Sequence, residues 1–315
     1  MAEYKQIHKV EVEKKPFKLT KKMIALLVIA IVLVVGVITA YIVTADKDGY
    51  TSSVQNSSSE VISGDVSVTK KGLYEYLLDN YGANEVLNEA YNKITAKEIT
   101  DKDAINAKVE ELKNRYASYS GSFETYAKNQ GYSDAKTFEK EVVVPEAKSD
   151  LLEEKYLDTK FNDACKNYNV SYLKIVEYSK ESEALKALKT VTDADAMTAL
   201  MNANTSSATD LGFVCSKSST TTVDKKIIKA LSKFTSLKTD GVYKEAVKLS
   251  TGKYAVVYVY NTDKTAQKDD IVKNLLNLGD VKTDIESYYL KKYKFTVEDE
   301  KVKKQIKKIS NKYVD

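Results

Sequence analysis

Apolar residues recur along this chain with three spacings, and each predicts a different structure. Residues 23 to 43, MIALLVIAIVLVVGVITAYIV, are continuously apolar and uncharged, close to the roughly 20 residues a helix needs to cross a bilayer. From residue 65 to 168 the period becomes helical. Leu73 and Leu77 share a face, Gly82 interrupts, and Val86, Ala90 and Ile94 then recur at intervals of four. Ile105, Val109, Leu112 and Tyr116 form the stripe of a second helix that Thr100 or Asp101 caps. Phe123, Tyr126 and Ala127 mark a short helix ended by Gly131, and Ser133 opens another carrying Phe138 and Val142. Pro145 falls at a bend or in the first turn of a long helix striped by Leu152, Tyr156, Leu157, Phe161 and Cys165.

At Asn169 the period shortens. VSYLKIVEY (170–178) is β-branched and aromatic and predicts a strand, followed by helical pieces near 181–190 and 193–203, the second capped by Asp193. TDLGFV then carries an Asp-Leu-Gly turn and supplies the second strand of the region. A helix at KKIIKALSKF (225–234) and two strands, VYKEAVKL and KYAVVYVYN, joined by STG, complete the region. The order β, α, α, β, α, β, β predicts a small antiparallel sheet with helices on it, and the whole chain an α+β fold. Residues 265–315 return to helix through Ile271, Leu275 and Leu278, then Ile285, Tyr289 and Tyr293, then Val302, Ile306 and Ile309.

Charge orients this arrangement. The chain carries 49 basic and 45 acidic residues, and its first 22 hold seven Lys against three Glu, leaving 42 of each sign beyond them. Lys14, Lys15, Lys18, Lys21 and Lys22 precede the apolar run and Asp46 and Asp48 follow it. The expectation is a cytoplasmic tail at 1–22, a single span at 23–43 and an extracytoplasmic bulk. A cleaved signal peptide is the alternative, with Val43-Thr44-Ala45 as its small-residue site, although the run exceeds the usual h-region of about 7–15 residues. No cysteine stands near the span, which excludes a lipobox. The Ser-rich stretch within 44–64 predicts a tether. The balanced remainder has one arginine, Arg115, and no basic stripe outside the termini, which argues against nucleic acid. Lys291 to Lys312 read either as a solvated helix face or as a contact with anionic lipid. Cys165 and Cys215, the only thiols, either pair or are buried small apolar residues.

Several stretches resemble the PrsA and SurA family of extracytoplasmic foldases: GDVSVTKKGLYEYL at the start of the helical region, FETYAKNQGYSDAKTFEKEVVVPEAKSDLLEEKYL within it, TDLGFV in the sheet region, and KFTVEDEKVKKQIKK near the end. The resemblance implies a helical chaperone-like domain (65–168) completed by the C-terminal helices (265–315), with a parvulin-like sheet domain (169–264) between them. It also allows a prolyl isomerase site, and there the sequence departs. The family's first-strand histidine falls on Tyr172 within Ser171-Tyr172-Leu173-Lys174, and its second on Tyr254 within Gly252-Lys253-Tyr254-Ala255-Val256. The acidic or thiol position falls near Asn204, and the glycine pair before the Asp is Ala208-Thr209. Tyr172 and Tyr254 retain hydroxyls that could bond one another.

Other chemistry is excluded more simply. The single histidine, His8, precedes the span, so Ser-His-Asp and Cys-His arrangements and histidine-ligated metals are impossible in the bulk. No phosphate-binding glycine loop is present, and no cofactor is expected. Glu298, Asp299 and Glu300, and Asp269 with Asp270, read as helix first turns, not as calcium ligands, and no metal is assigned. The expected function is therefore that of a membrane-tethered chaperone or foldase-like protein for unfolded or newly exported chains, possible as a homodimer, with an inactive parvulin domain. Its 23 tyrosines suit adaptable contact surfaces, and Tyr76, Leu77, Tyr116, Phe123, Tyr126 and Phe138 are the candidate client contacts, each with an ordinary core position as the competing reading. An active prolyl isomerase and a one-partner surface adaptor are the alternatives.

Overall fold

The computed structural model describes residues 57–63 and 67–314. The expected cytoplasmic tail, the span at 23–43 and most of the tether lie outside the described residues. Among those described, no helix is long and apolar enough to cross a membrane.

A short antiparallel pair, β1 (Glu60–Ile62) and β2 (Val68–Thr69), leads into α1 (Lys70–Glu98), whose first turn is fixed by the Thr69 hydroxyl accepting from the Gly72 amide at 3.1 Å. The following helices start where short polar side chains meet orphan amides. Asp101 caps α2 (Lys102–Ser120), Ser122 caps α3 (Phe123–Asn129), and Asp134, not the expected Ser133, caps α4 (Ala135–Phe138). A π-helical turn over Glu139–Val143 runs directly into α5 (Val144–Thr159), with Pro145 in its first turn where the missing N–H needs no partner. The stripe expected as one long helix breaks at Lys160, and α6 (Phe161–Asn167) carries its end.

The sheet region follows the expected order: β3 (Ser171–Tyr178), α7 (Glu181–Leu188), α8 (Ala194–Ala203), β4 (Ala208–Val214), α9 (Lys225–Phe234), β5 (Gly241–Val242), β6 (Val247–Lys248) and β7 (Tyr254–Tyr260). The strands pair antiparallel in the order β4-β3-β7-β5, with β6 also on β7. The strand expected over VYKEAVKL is two short pieces on either side of Tyr243–Ala246. The chain closes with α10 (Lys268–Leu276), α11 (Gly279–Lys292) and α12 (Glu300–Ile309). The fold is α+β.

Two glycines act differently from the sequence expectation. Gly82 does not interrupt α1. It is a buried point of close approach inside the helix, where an added Cβ would stand 2.8 Å from Leu78 Cδ1 and 3.6 Å from Val302 Cγ2 of α12. The Asp-Leu-Gly segment is not a turn either. It lies within β4, where the β3 register slips between Leu173–Gly212 and Lys174–Asp210, so that Leu211 is the extra residue of a bulge and Gly212 takes φ 62°. No atom lies within 4 Å of the position a Gly212 Cβ would occupy. Gly212→Ala is therefore expected to cost only its backbone strain, about 1 kcal/mol, read by urea denaturation. A cost near zero would show that this bulge is not held in the left-handed region.

Packing joins the two ends of the sequence. One core holds Leu152 and Leu157 of α5 with Ile271 and Leu275 of α10, Ile285 of α11, and Val302 and Ile306 of α12. A second core lies between α2, α3, α4 and the start of α5, around Leu112, Phe138 and Val143. The sheet is covered on both faces, and strict alternation along β3 and β7 sorts its residues. Leu173, Ile175, Val257 and Val259 meet Ile227, Leu231 and Phe234 of α9. Val176, Val256 and Tyr258 meet Ala184 of α7 and Met197 of α8.

Candidate functional site

The positions matched to the parvulin site do not converge. Tyr172 pairs in register with Tyr260, whereas Tyr254 pairs with Tyr178 at the other end of the same two strands. Six residue steps along β7 separate Tyr254 from Tyr260, roughly 20 Å at about 3.3 Å per residue. The hydrogen bond that the two hydroxyls could make is thus ruled out by register.

Each of the three positions has a structural occupation. Tyr172 is buried, its ring packed on Phe213 and Tyr260 with centroids at 6.0 and 5.7 Å, and its hydroxyl donates to Asp270 in the first turn of α10. Burial first, and then the Asp270 carboxylate, push the Tyr172 phenol above its ordinary range. Lys264, half-enclosed, places its ammonium 5.5 Å from the Tyr172 ring centre, and burial lowers its pKa. Asn204 is the C-cap of α8, donating from Nδ2 to the Leu200 carbonyl at 2.8 Å. Tyr254 is half-buried beside the helices that cover its face. Asp210 of the Asp-Leu-Gly segment accepts from Gly212 N at 3.0 Å and from the Tyr260 hydroxyl at 2.8 Å, which holds the bulge against β7.

Neither thiol is poised for chemistry. Cys165 and Cys215 are both buried and free. Burial pushes the Cys165 thiol up to about 11 and raises Cys215 as well, so both stay protonated near neutrality. The two acidic stretches are helix first turns: Asp299 accepts from the amides of Lys301 and Val302, and Asp269 and Asp270 open α10. Among the described residues no group of three or more His, Cys, Asp or Glu is arranged to hold a metal.

Four of the six expected client contacts belong to the interior. Tyr116, Phe123, Tyr126 and Phe138 form one aromatic cluster in the second core, with Tyr116 stacked on Tyr126 at 4.7 Å and Phe123 at 5.6 Å from Phe138. They lie on three helices, α2, α3 and α4, whose buried sides meet in this core, and that convergence removes them from any client. Tyr76 is exposed and Leu77 half-buried, both on the first turns of α1.

The helices also enclose a concavity, and it is not an apolar one. A cleft of about 480 Å³ opens between α2, α5, α10 and α11, and its walls are charged. Arg115 pairs with Glu146 at 2.5 Å, Lys108 with Glu154 at 2.9 Å, and Lys282 with Glu153 at 2.8 Å. Burial raises the Asp150 carboxyl and lifts that of Glu153 to about 7, with nearby carboxylates adding to the effect. No local pattern along the chain marks this cleft, because its pairs join helices more than thirty residues apart.

No family model matches the sequence, and no curated protein matches it. Among solved structures, the chain is similar to the peptidylprolyl isomerase PrsA from Bacillus cereus, with 15% identity, 81% of this chain and 100% of that chain covered, and a TM-score of 0.45. It is similar to PrsA from Bacillus subtilis at 18% identity, with 80% and 99% covered and a TM-score of 0.38. The foldase protein PrsA from Streptococcus pneumoniae gives 16% identity, 81% and 100% covered, and a TM-score of 0.36. Over most of its length, the chain is thus similar to solved PrsA foldases.

Proposed function

We propose that this protein is a membrane-anchored, extracytoplasmic foldase-like chaperone that holds unfolded or newly exported chains, and that its sheet region does not catalyse prolyl isomerisation. The observation that carries the reading is the discontinuous helical unit: α1 and α5 pack with α10, α11 and α12, from the opposite end of the sequence, and the sheet region is inserted between them. The foldase-like motifs in the sequence imply this architecture, and the uncharged run at 23–43 with lysines before it supports the anchor and its orientation.

The inactive reading rests on the site. Isomerases lower a rotation barrier of about 18–20 kcal/mol by desolvating and orienting the prolyl bond. Here the matched positions are a buried tyrosine bonded to Asp270, a helix cap, and a tyrosine at the far end of the sheet. They offer no common point for a substrate. Holding a client needs only surface, and the charged cleft between the helical units suits an extended polar segment more than an apolar one.

The full chain in lipid nanodiscs, at several-fold excess over an aggregating client, is expected to suppress light scattering, and in a proline-limited refolding assay to leave the slow phase unchanged. Absence of suppression would remove the chaperone reading. Acceleration of the slow phase that Tyr172→Phe abolishes would restore the isomerase.

A further inference from the structure

Among the described residues, the first three turns of helix α1 leave most of their apolar side chains uncovered, with Leu78 alone of them packed against the main core. Half of its first twelve residues, 70–81, are large and apolar: Leu73, Tyr74, Tyr76, Leu77, Leu78 and Tyr81. None of those twelve is buried, whereas Gly82, Ala83 and Ile94 further along are. Leu73, Tyr74 and Tyr76 are 37%, 49% and 57% exposed, and the adjoining strand β1 adds Val61 at 50% and Ile62 at 53%. Strand and helix form one surface, because the Lys70 and Lys71 amides donate to the Ser59 and Ser57 carbonyls at 2.8 and 3.0 Å. An exposed apolar helix end beside an exposed apolar strand marks a surface that something covers.

Chemistry and connection both favour one cover. Tyrosine beside aliphatic side chains, flanked by Lys70 and Lys71, is the composition that settles at the boundary between headgroups and acyl chains. The basic helix α12 lies against the same part of α1: Lys301 Nζ is 3.5 Å from Asp79 Oδ1 and Gln305 Nε2 donates to the Asp79 carbonyl at 2.6 Å. Its Lys304, Lys307 and Lys308 are exposed, which suits anionic headgroups. The sequence also limits how far this surface can stray. Seventeen steps of chain join Val43, at the end of the apolar run, to Glu60 of β1, a reach of at most about 60 Å at roughly 3.5 Å per residue. Tethering over that distance keeps the local concentration of bilayer high, so weak contacts suffice.

We infer that the β1 strand and the first turns of α1 form a membrane-docking surface, seated at the headgroup boundary of an anionic bilayer, which fixes the folded unit against the membrane that anchors it. This rests on the anchored reading proposed above, and the test separates the two.

The chain contains no tryptophan, so single replacements supply the only indole signal. Full-length Val34→Trp, Tyr76→Trp and Tyr119→Trp chains are reconstituted into phosphatidylcholine vesicles with or without phosphatidylglycerol, and fluorescence quenching by acyl-brominated lipid is read for each. Tyr119 is the control, 67% exposed on α2. Val34→Trp is expected to be strongly quenched and Tyr76→Trp about two-fold more than Tyr119→Trp, as for a side chain some 5–10 Å into the boundary; omitting phosphatidylglycerol should narrow that difference. Quenching at Val34→Trp with Tyr76→Trp no different from Tyr119→Trp overturns the docking surface and leaves the anchor. An unquenched Val34→Trp overturns the anchor and the docking with it. A Tyr76→Trp signal shielded from iodide but not quenched by brominated lipid assigns the face to another polypeptide and overturns the proposal.

Discussion

Glu98→Gln is expected to destabilise the folded chain by about 2–3 kcal/mol at pH 7, the scale of a lost set of charged hydrogen bonds. The effect should disappear as the pH falls toward 2. Glu98 sits in the last turn of α1, where the helix's own carbonyl dipoles disfavour a negative charge. Cations from two other helices reverse that balance. Lys155 of α5 donates to its Oε2 at 3.0 Å and to its backbone carbonyl at 2.9 Å, while Lys292 of α11 and the Tyr293 hydroxyl reach Oε1. The Lys292 hydrogen bond leads in holding the carboxyl at about 2, below its usual value of 4.5, against a partial opposing effect of burial.

The sign follows directly. A carboxyl whose folded pKa is depressed contributes stability that is complete above its unfolded value and is lost as pH falls through the folded one, here between about 4.5 and 2. The glutamine side chain keeps the shape and one acceptor but cannot carry the charge. The magnitude is set below the full value of the shift because both lysines are nearly half exposed and water screens them. Denaturation of parent and variant across this pH range checks it. An equal gap at pH 3 and pH 7 would assign the loss to packing and sink the electrostatic account.

How much of this is legible in the sequence depends on the range over which the physics acts. Helix starts such as Asp101 and Asp193, the α9 segment at 225–234 and the strand at 170–178 follow from side chains within a few residues of each other, and they are readable. The α+β class follows from the change of period at Asn169. Gly82 misleads because a glycine that breaks a helix and one that admits a neighbouring helix look the same until Val302, 220 positions away, is placed beside it. The Asp-Leu-Gly segment reads as a turn for a related reason: positive φ at Gly212 serves a bulge as readily as a turn, and only pairing with β3 distinguishes them. Matching Tyr172 and Tyr254 by motif ignores register, the one quantity that decides whether two strand residues meet. The aromatic client candidates fail because Tyr116, Phe123, Tyr126 and Phe138 sit on the buried sides of three helices, and only the packing of those helices shows that the sides meet in one core.

Glu153→Gln is expected to shift stability in the opposite sense, raising it by roughly 2 kcal/mol at pH 8 and by nothing below about pH 4.5. Glu153 is 4% exposed on α5. It has one strong partner, Lys282 of α11 at 2.8 Å, and its surroundings include Asp150, Glu286 and the buried Tyr91 phenol. Desolvation outweighs the lysine, and the carboxyl is lifted from 4.5 to about 7. A folded-state pKa above the unfolded one gives stability that is complete below 4.5 and is lost as pH rises through 7, because ionising the buried group then opposes folding. Glutamine is neutral throughout and escapes that loss, while Lys282, 40% exposed, keeps access to water and is not stranded by the change. Denaturation midpoints at pH 4.5 and pH 8 decide the matter. Destabilisation at pH 8 would mean that the ion pair outweighs its desolvation, placing Glu153 with Glu98 among the carboxylates that bind α11 to the rest of the helical unit.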